Sequence, residues 1–531
     1  MCRLHVKLTV CLVLAALCAG AAMAELQNVQ VGGELRIRGN LITNGLVRTA
    51  LQGIPEVRWP AAFLFKRPIG GPFAAGGFNG MGIVSFVKWS SRDGGDLDFI
   101  EHRTRLNVKA DFTNDVNAFI ELDNYNVWSE DFRSDYLTGA DFAPGGTVSV
   151  YQSYIEAENM FDLPLRLRVG RQELSFGSEW LVGPKDFVYY FYGRSFDGAR
   201  LTYATDLFTV DAFATQLFES GPFESSGDVW FSGVYGTYTG IEGHALDAYW
   251  LWLRDPRRIN DTNLSWFGEW LEDLWGLDDY KTTNLHTVGL RAAGLMGAFD
   301  YEIEAAYQFG DAGQIGTTFK PFVYGDNRAT FGTWGGHFNA GYTFDAPWRP
   351  RPFIGAAYFG GEDNRDISFW DWLNPFYRPE ASVSFNRLFS NAMYSGAVDA
   401  FNDLSNAWLA RAGVVAHPTE ALAVIIAATY FEAVEAFHPP VHFRIGRARV
   451  PIAPALSFWT QKNSKNLGWD TSLFVVYRYS EDLTFRLQYS RFWVGSGLAD
   501  GAFVFGNGLL FSGGTDNKDA DYLAAEMHIR F

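Results

Sequence analysis

Cysteine is what this chain does without. Its three cysteines, Cys2, Cys11 and Cys18, all fall within the first 24 residues. Beyond them neither a disulfide nor a thiolate-bound metal can hold the fold together. Long apolar runs are missing too. The longest after residue 24, Ala421 to Phe431, suits a strand and falls short of the ~20 residues a membrane helix needs, which excludes a helical membrane topology. Positive charge is in deficit, with 43 Lys and Arg against 60 Asp and Glu, so nucleic acid is excluded as a partner. Catalytic signatures are absent as well. His102, His244, His286, His337, His417, His438, His442 and His528 are scattered, without HExxH, GxSxG or a paired metal-ligand spacing. The expectation is no catalytic residue, no metal, no cofactor and no enzyme.

What is present begins with an export signal. Arg3 and Lys7 precede an apolar run from Leu8 to Leu17, and Ala22-Met23-Ala24 offers small residues to a signal peptidase, so residues 1–24 read as a signal peptide. Residues 25–531 then form a single domain. Its abundant glycine and aromatic residues, with a mean hydropathy of −0.07, suit a large all-β protein, soluble or in a membrane.

The last stretch decides between these. Leu523, Ala525, Met527, Ile529 and Phe531 alternate with Tyr522, Ala524, Glu526, His528 and Arg530, one face apolar and the other polar. An apolar strand face ending on an aromatic carboxy-terminus invites aggregation unless the sheet closes in a membrane. It resembles the end of bacterial outer-membrane proteins. That resemblance implies that the assembly machinery reads these five apolar residues.

Alternation and turn residues give about eighteen strand candidates, from Gly33–Asn40 to the strand that starts at Asp521. Short turns such as Thr113-Asn114-Asp115 and Met296-Gly297-Ala298 join them in pairs. Long gaps separate the pairs: residues 41–99, 126–148, 255–286, 310–331, 362–406, 432–466 and 494–520. Sorting of connections by length predicts a transmembrane antiparallel β-barrel of about 18 strands, with short periplasmic turns, long external loops and outer-membrane lipid around it. Residues 41–99 form a long first external loop or a plug, with Phe63 to Val87 a candidate to fold inward. Trp266, Phe267, Trp270, Leu271, Leu274 and Trp275 recur at helical spacing. Phe369, Trp370, Trp372, Phe376 and Tyr377 form a second aromatic group, and packing within the loops is the favoured role for both.

Several strands carry sequences similar to the alginate-export family of outer-membrane barrels. They are Arg103-Thr104-Arg105-Leu106 with Lys109-Ala110-Asp111-Phe112, Val169-Gly170-Arg171-Gln172-Glu173-Leu174, Phe196-Asp197-Gly198-Ala199-Arg200-Leu201, Tyr301-Glu302-Ile303-Glu304-Ala305-Ala306-Tyr307-Gln308, Phe385-Asn386-Arg387-Leu388-Phe389 and Leu467-Gly468-Trp469-Asp470. The chain departs from the family in the length of its 41–99 gap and in Ser390 to Gly396, which holds no histidine. The resemblance implies an 18-stranded monomer whose arginine-rich lumen passes an anionic polysaccharide.

Residues between the lipid-facing ones point into the lumen. Arg36 and Arg38, with Arg103, Arg105 and Lys109 on the next strand and Arg166 and Arg168 on the fifth, predict a basic wall. Asp300, Glu302 and Glu304 on the eleventh strand lie nine strands from the second, so they would face it as an acidic wall, and Asp111, Glu121 and Asp470 are further lumenal acids. Such a transverse field would govern ion entry. These charges can equally pair into ladders that hold register: Glu121 and Asp123 reach the second strand, and Arg291 lies beside the eleventh. The function expected is a diffusive outer-membrane channel for anionic oligo- or polysaccharide. A general porin and a structural or adhesive barrel with a plugged lumen are the alternatives.

Overall fold

Alternation of apolar and polar side chains satisfies lipid on one face and water on the other only if every strand finds two partners. The computed structural model describes residues 25–43, 47–49, 86–88, 97–128, 148–184, 191, 193–219, 228–256, 282–311, 329–361, 381–382, 385–395, 405–435, 442–445, 448–451, 464–499 and 519–531. Within them lie the strands β1 (Leu26–Thr43), β2 (Leu97–Phe112), β3 (Val116–Val127), β4 (Ser149–Ala157), β5 (Leu165–Gln172), β6 (Phe196–Ala204), β7 (Phe208–Phe218), β8 (Val229–Tyr238) and β9 (His244–Asp255). The second half comprises β10 (Thr283–Met296), β11 (Phe299–Asp311), β12 (Ala329–Tyr342), β13 (Arg351–Phe359), β14 (Ala407–Thr419), β15 (Leu422–Ala433), β16 (Asn466–Arg478), β17 (Leu483–Val494) and β18 (Ala520–Arg530).

Each of these strands pairs antiparallel with its neighbours in chain order, and β18 closes the ring on β1. The seam runs from Glu34 opposite Arg530 to Thr43 opposite Asp521. Phe531 extends it, exchanging backbone hydrogen bonds with Gly33 at 2.9 and 3.0 Å. The barrel is therefore a closed 18-stranded antiparallel sheet with no free edge. Among the described residues no helix is long and apolar enough to cross a membrane.

The outer face follows from the period of two. Leu523, Met527 and Ile529 of β18, Ile303 of β11 and Ile426 of β15 are exposed, while Tyr522, Ala524, Glu526 and His528 are buried. Aromatic residues ring both ends of this face. Tyr342, Phe344, Trp348, Tyr477 and Tyr479 lie at the short-turn end, and Trp128, Trp334, Trp469 and Trp493 at the other. Their ring planes and polar tips suit the boundary between hydrocarbon and water.

Short turns gather at the end where β1 starts and β18 finishes. One is closed by Asn114 and Asp115, both at positive φ (65° and 56°), a conformation these side chains tolerate. The opposite end carries nine longer connections. Two of them, residues 173–195 and 219–228, are absent from the seven gaps expected from sequence. The regions read as a signal (1–24), as an inward plug (63–87, apart from residues 86 and 87) and as aromatic loop clusters (266–275 and 369–377) lie outside the described residues.

Gly170 in β5 shows how tightly adjacent strands approach. Its φ is +135°, and a Cβ there would sit 2.2 Å from the Ser153 carbonyl oxygen of β4. Gly170→Val should destabilise the barrel by about 1–3 kcal/mol through backbone strain and loss of β4–β5 pairing. The check is urea unfolding followed by the heat-modifiable gel shift; an unchanged midpoint would show that β4 and β5 part at no cost.

Candidate functional site

Antiparallel register aligns the inward charges of β17, β18, β1, β2 and β3 into rows. In one row Arg486, Glu526, Arg38 and Glu101 stand side by side; in another, four residues along, Arg530, Glu34, Arg105 and Asp123 do the same. Signs alternate along each row. Between them lies a row with Arg36 opposite Arg103, and these two guanidiniums reach diagonally, each to a different acidic row. Arg36 donates to Glu526 at 2.9 Å and Arg103 pairs with Glu34. Arg38 meets Glu101 at 2.7 Å, and Arg105 meets Asp123 at 2.8 Å. His528 stands 2.9 Å from Glu34, and Tyr125 donates to Glu101 at 2.9 Å.

All four arginines of β1 and β2 are buried, Arg103 completely. Part of their cover comes from Phe191, which turns inward from the connection between β5 and β6. The Phe191 ring lies under the guanidiniums of Arg36 and Arg38 at 4.8 and 4.7 Å, and its carbonyl accepts from Arg103 at 2.9 Å. Arg105 stacks on Tyr151 at 3.6 Å. Aromatic faces and carboxylates together replace the water that these cations have lost.

The other predicted basic residues stand towards the short-turn end. Lys109 pairs with Asp111 at 3.2 Å and keeps 41% of its side chain exposed; Arg166 keeps 39%, with Glu156 at 3.7 Å. Arg168 holds Glu156 more closely, at 2.6 Å. Of the two β3 acids expected to reach β2, Asp123 pairs with Arg105, and Glu121 lies across from Asn107 of β2 and also accepts from Gln152 of β4 at 2.9 Å.

The facing wall is acidic, as the strand order requires. Asp300 binds Arg351 of β13. Glu302 and Asp247 share Arg291, at 3.3 and 2.8 Å. Glu304 accepts from Tyr249 at 2.7 Å, and Tyr235, stacked on Tyr249 at 5.2 Å, donates to Asp247. His337 of β12 faces both Glu302 and Glu304.

Two segments cross the interior between these walls, residues 173–184 and 385–395. They join through a bridge between Val182 and Phe389, with Gly183 donating to Phe389 at 2.9 Å and Phe389 to Leu181 at 2.8 Å. The first docks through Trp180, which stacks on His337, Phe359 and Phe385 at 5.1, 6.0 and 5.7 Å. The second is pinned at two distant strands: Gln308 of β11 exchanges two hydrogen bonds of 2.7 Å with the Asn386 backbone, and Ser395 donates to Asp470 of β16 at 2.6 Å. Asp470, expected as a free lumenal acid, is thus a buried anchor that also accepts from Ser490. An aromatic layer of Phe176, Phe196, Phe213, Phe231 and Phe389 completes the crossing and narrows the lumen.

Sequence reasoning found the arginines but missed this crossing. The gap between β5 and β6 is as long as the expected gap at residues 126–148 but was not counted among the long ones. Its Phe, Tyr and Gly residues were the only mark. Of the partner acids, Glu34 and Glu101 went unnamed and Glu526 was placed only on the polar face of the last strand, although each sits two residues from an arginine or in register with one.

Removing one member of this ladder should cost more than removing a matched pair. Arg103→Ala removes one of the cations around Glu34, leaving His528 and Arg530 beside it, and should destabilise by about 1–3 kcal/mol, while Arg103→Met with Glu34→Leu should cost clearly less. Urea midpoints of the two variants decide it; equal losses would mean that the pair is not coupled.

Three solved structures illustrate the barrel's likeness: OprD from Pseudomonas aeruginosa (10% identity, 96% of this chain and 95% of that chain, TM-score 0.47), OccD3 (OpdP) from the same organism (10%, 96% and 94%, 0.47) and a BenF-like porin from Pseudomonas fluorescens (8%, 95% and 99%, 0.45). No curated protein matches the sequence. The alginate export family model matches residues 88–504, which include sixteen of the eighteen strands. With that match over most of the barrel, the chain belongs to the alginate export family, as a β-barrel channel of the outer membrane.

Proposed function

We propose that the channel passes anionic oligo- or polysaccharides, with alginate-like uronate chains as the natural class, and that it acts as a monomer by diffusion. Family membership supports the class of solute. The observation that carries the reading is the charge surplus on the basic wall. Within the described residues, Arg36, Arg38, Arg103, Arg105, Arg486 and Arg530 stand against Glu34, Glu101, Asp123 and Glu526. Across the lumen the surplus is reversed: Asp211, Asp247, Asp300, Glu302 and Glu304 stand against Arg200, Arg291 and Arg351. A low-dielectric passage between such walls steers anions to the first.

A guanidinium already holding a carboxylate keeps donors for another. First contact from the short-turn end falls to Lys109 and Arg166, the more exposed cations, and the ladder behind them supplies field. A porin for small solutes is the second reading, favoured by the aromatic crossing, which narrows the passage. Assembly is assigned to the five apolar residues Leu523, Ala525, Met527, Ile529 and Phe531, which present one continuous face to the membrane.

Single-channel recording in a planar bilayer under a salt gradient tests this. The wild type should be anion-selective and blocked by oligouronate at concentrations where neutral sugars do nothing. Lys109→Glu with Arg166→Glu should lower anion preference several-fold and weaken the block. A large unselective current would assign the protein to the porin reading, and silence would sink both.

Trp180→Ala should remove the main anchor of residues 173–184 while leaving strand pairing intact, and conductance should rise. If it stays at the wild-type value, the crossing does not limit flow.

A further inference from the structure

Glu302, Glu304 and His337 put one ligand atom each within 4.8 Å of the others, on the acidic wall beside the Trp180 anchor. What distinguishes them from a chance cluster is how their other atoms are held. Glu304 Oε1 is taken by the Tyr249 hydroxyl at 2.7 Å, leaving Oε2 towards His337 Nε2 at 3.4 Å, where it also accepts from Ser178 at 3.4 Å. Glu302 Oε2 is taken by Arg291 at 3.3 Å, leaving Oε1 towards the same nitrogen at 3.2 Å. That Oε1 is shut off from solvent and, among the described residues, has no hydrogen-bond donor beyond this long approach to His337. The imidazole plane is fixed by stacking on Trp180. Each ligand is thus oriented by an outer partner, the arrangement that metal sites require.

Distance and charge agree. A tetrahedral zinc site with bonds of about 2.0–2.1 Å separates its ligand atoms by about 3.3–3.4 Å. The two separations measured from Nε2, 3.2 and 3.4 Å, lie close to this, whereas a charge-assisted N–H···O bond prefers about 2.7–2.9 Å; the two carboxylate oxygens, within 4.8 Å of each other, would draw together on the ion. Asp247 and Glu302 share one guanidinium, Arg291, and Glu304 lies beside them, bonded to Tyr249 within the stacked tyrosine pair. One divalent cation would bring that patch close to neutrality.

We propose that Glu302, Glu304 and His337 form a lumenal binding site for a divalent transition-metal ion of the zinc class, with a fourth position left for water. Nitrogen plus two carboxylates selects such ions over calcium, which takes more oxygen ligands. Entry is from the lumen, to which Glu302 is partly open. Because His337 carries Trp180, the bound ion would fasten residues 173–184 to the wall.

The test is titration of the chelator-treated, refolded barrel with zinc, by calorimetry, and with cobalt, by visible absorption. One equivalent of zinc should bind, and cobalt should show the intense d–d bands of a four-coordinate site. Glu302→Gln and His337→Ala should each weaken binding about tenfold or more. Glu302→Gln keeps the shape and an acceptor for Arg291, so its heat-modifiable gel shift should match the wild type. His417→Ala, which removes an exposed imidazole on β14, should change nothing. Absence of saturable binding by the folded wild type, or variants that bind as it does, would overturn the proposal, as would loss of binding in His417→Ala.

Discussion

Closing eighteen strands into a ring leaves one seam, and it must hold the first strand against the last. Backbone pairing between β1 and β18 supplies ten register positions, but a two-residue slip would keep the same faces inward and outward. Charge is what distinguishes one register from the next. At the seam, Glu34 lies across from Arg530 and Arg38 across from Glu526. A slip of two would set Arg38 across from Ala524 and Glu34 across from His528, separating both seam charge pairs while the β1–β2 pairs Arg38–Glu101 and Arg103–Glu34 stay in place. Buried charges of this kind add little net stability, yet they penalise alternatives severely. The rest of the barrel hangs on that register.

The same ladder shapes the lumen. Arginines held by carboxylates on both sides are rigid, so the field they project is fixed in direction before any solute arrives. Phe191 and Tyr151 cover the guanidinium planes and keep water from screening them. The cost is that the most basic residues are the least accessible, and direct contact passes to the exposed ions nearer the short-turn end. Structural pairing and a permeation field are therefore two consequences of one arrangement.

The inward segments are a different kind of element. They are not paired along a strand of the wall but fastened at separate points: Trp180 on β12 and β13, Asn386 on β11, Ser395 on β16. Packing of aromatic rings and a few hydrogen bonds can loosen without opening the barrel, because the wall has its own closed ladder of backbone bonds. The passage can thus be narrow while the wall stays rigid.

Strand number, the sorting of short and long connections, the lipid-facing residues and the inward direction of Arg36, Arg103 and Glu304 were all legible in the sequence. Each depends on alternation with a period of two, a local property of a strand. Which carboxylate meets which arginine was only partly legible: Asp123 was placed beside β2, where it holds Arg105, while Asp470 went to Ser395 and Ser490. Pairing of that kind is set by register between strands, and by diagonal reach where like charges face each other, as with Arg36 and Arg103. The role of Asp470 and the crossing by residues 173–184 and 385–395 were decided by tertiary structure alone. Segments without periodicity carry no local signal of direction, and only the space left by eighteen closed strands determines that Trp180 and Phe389 fill it.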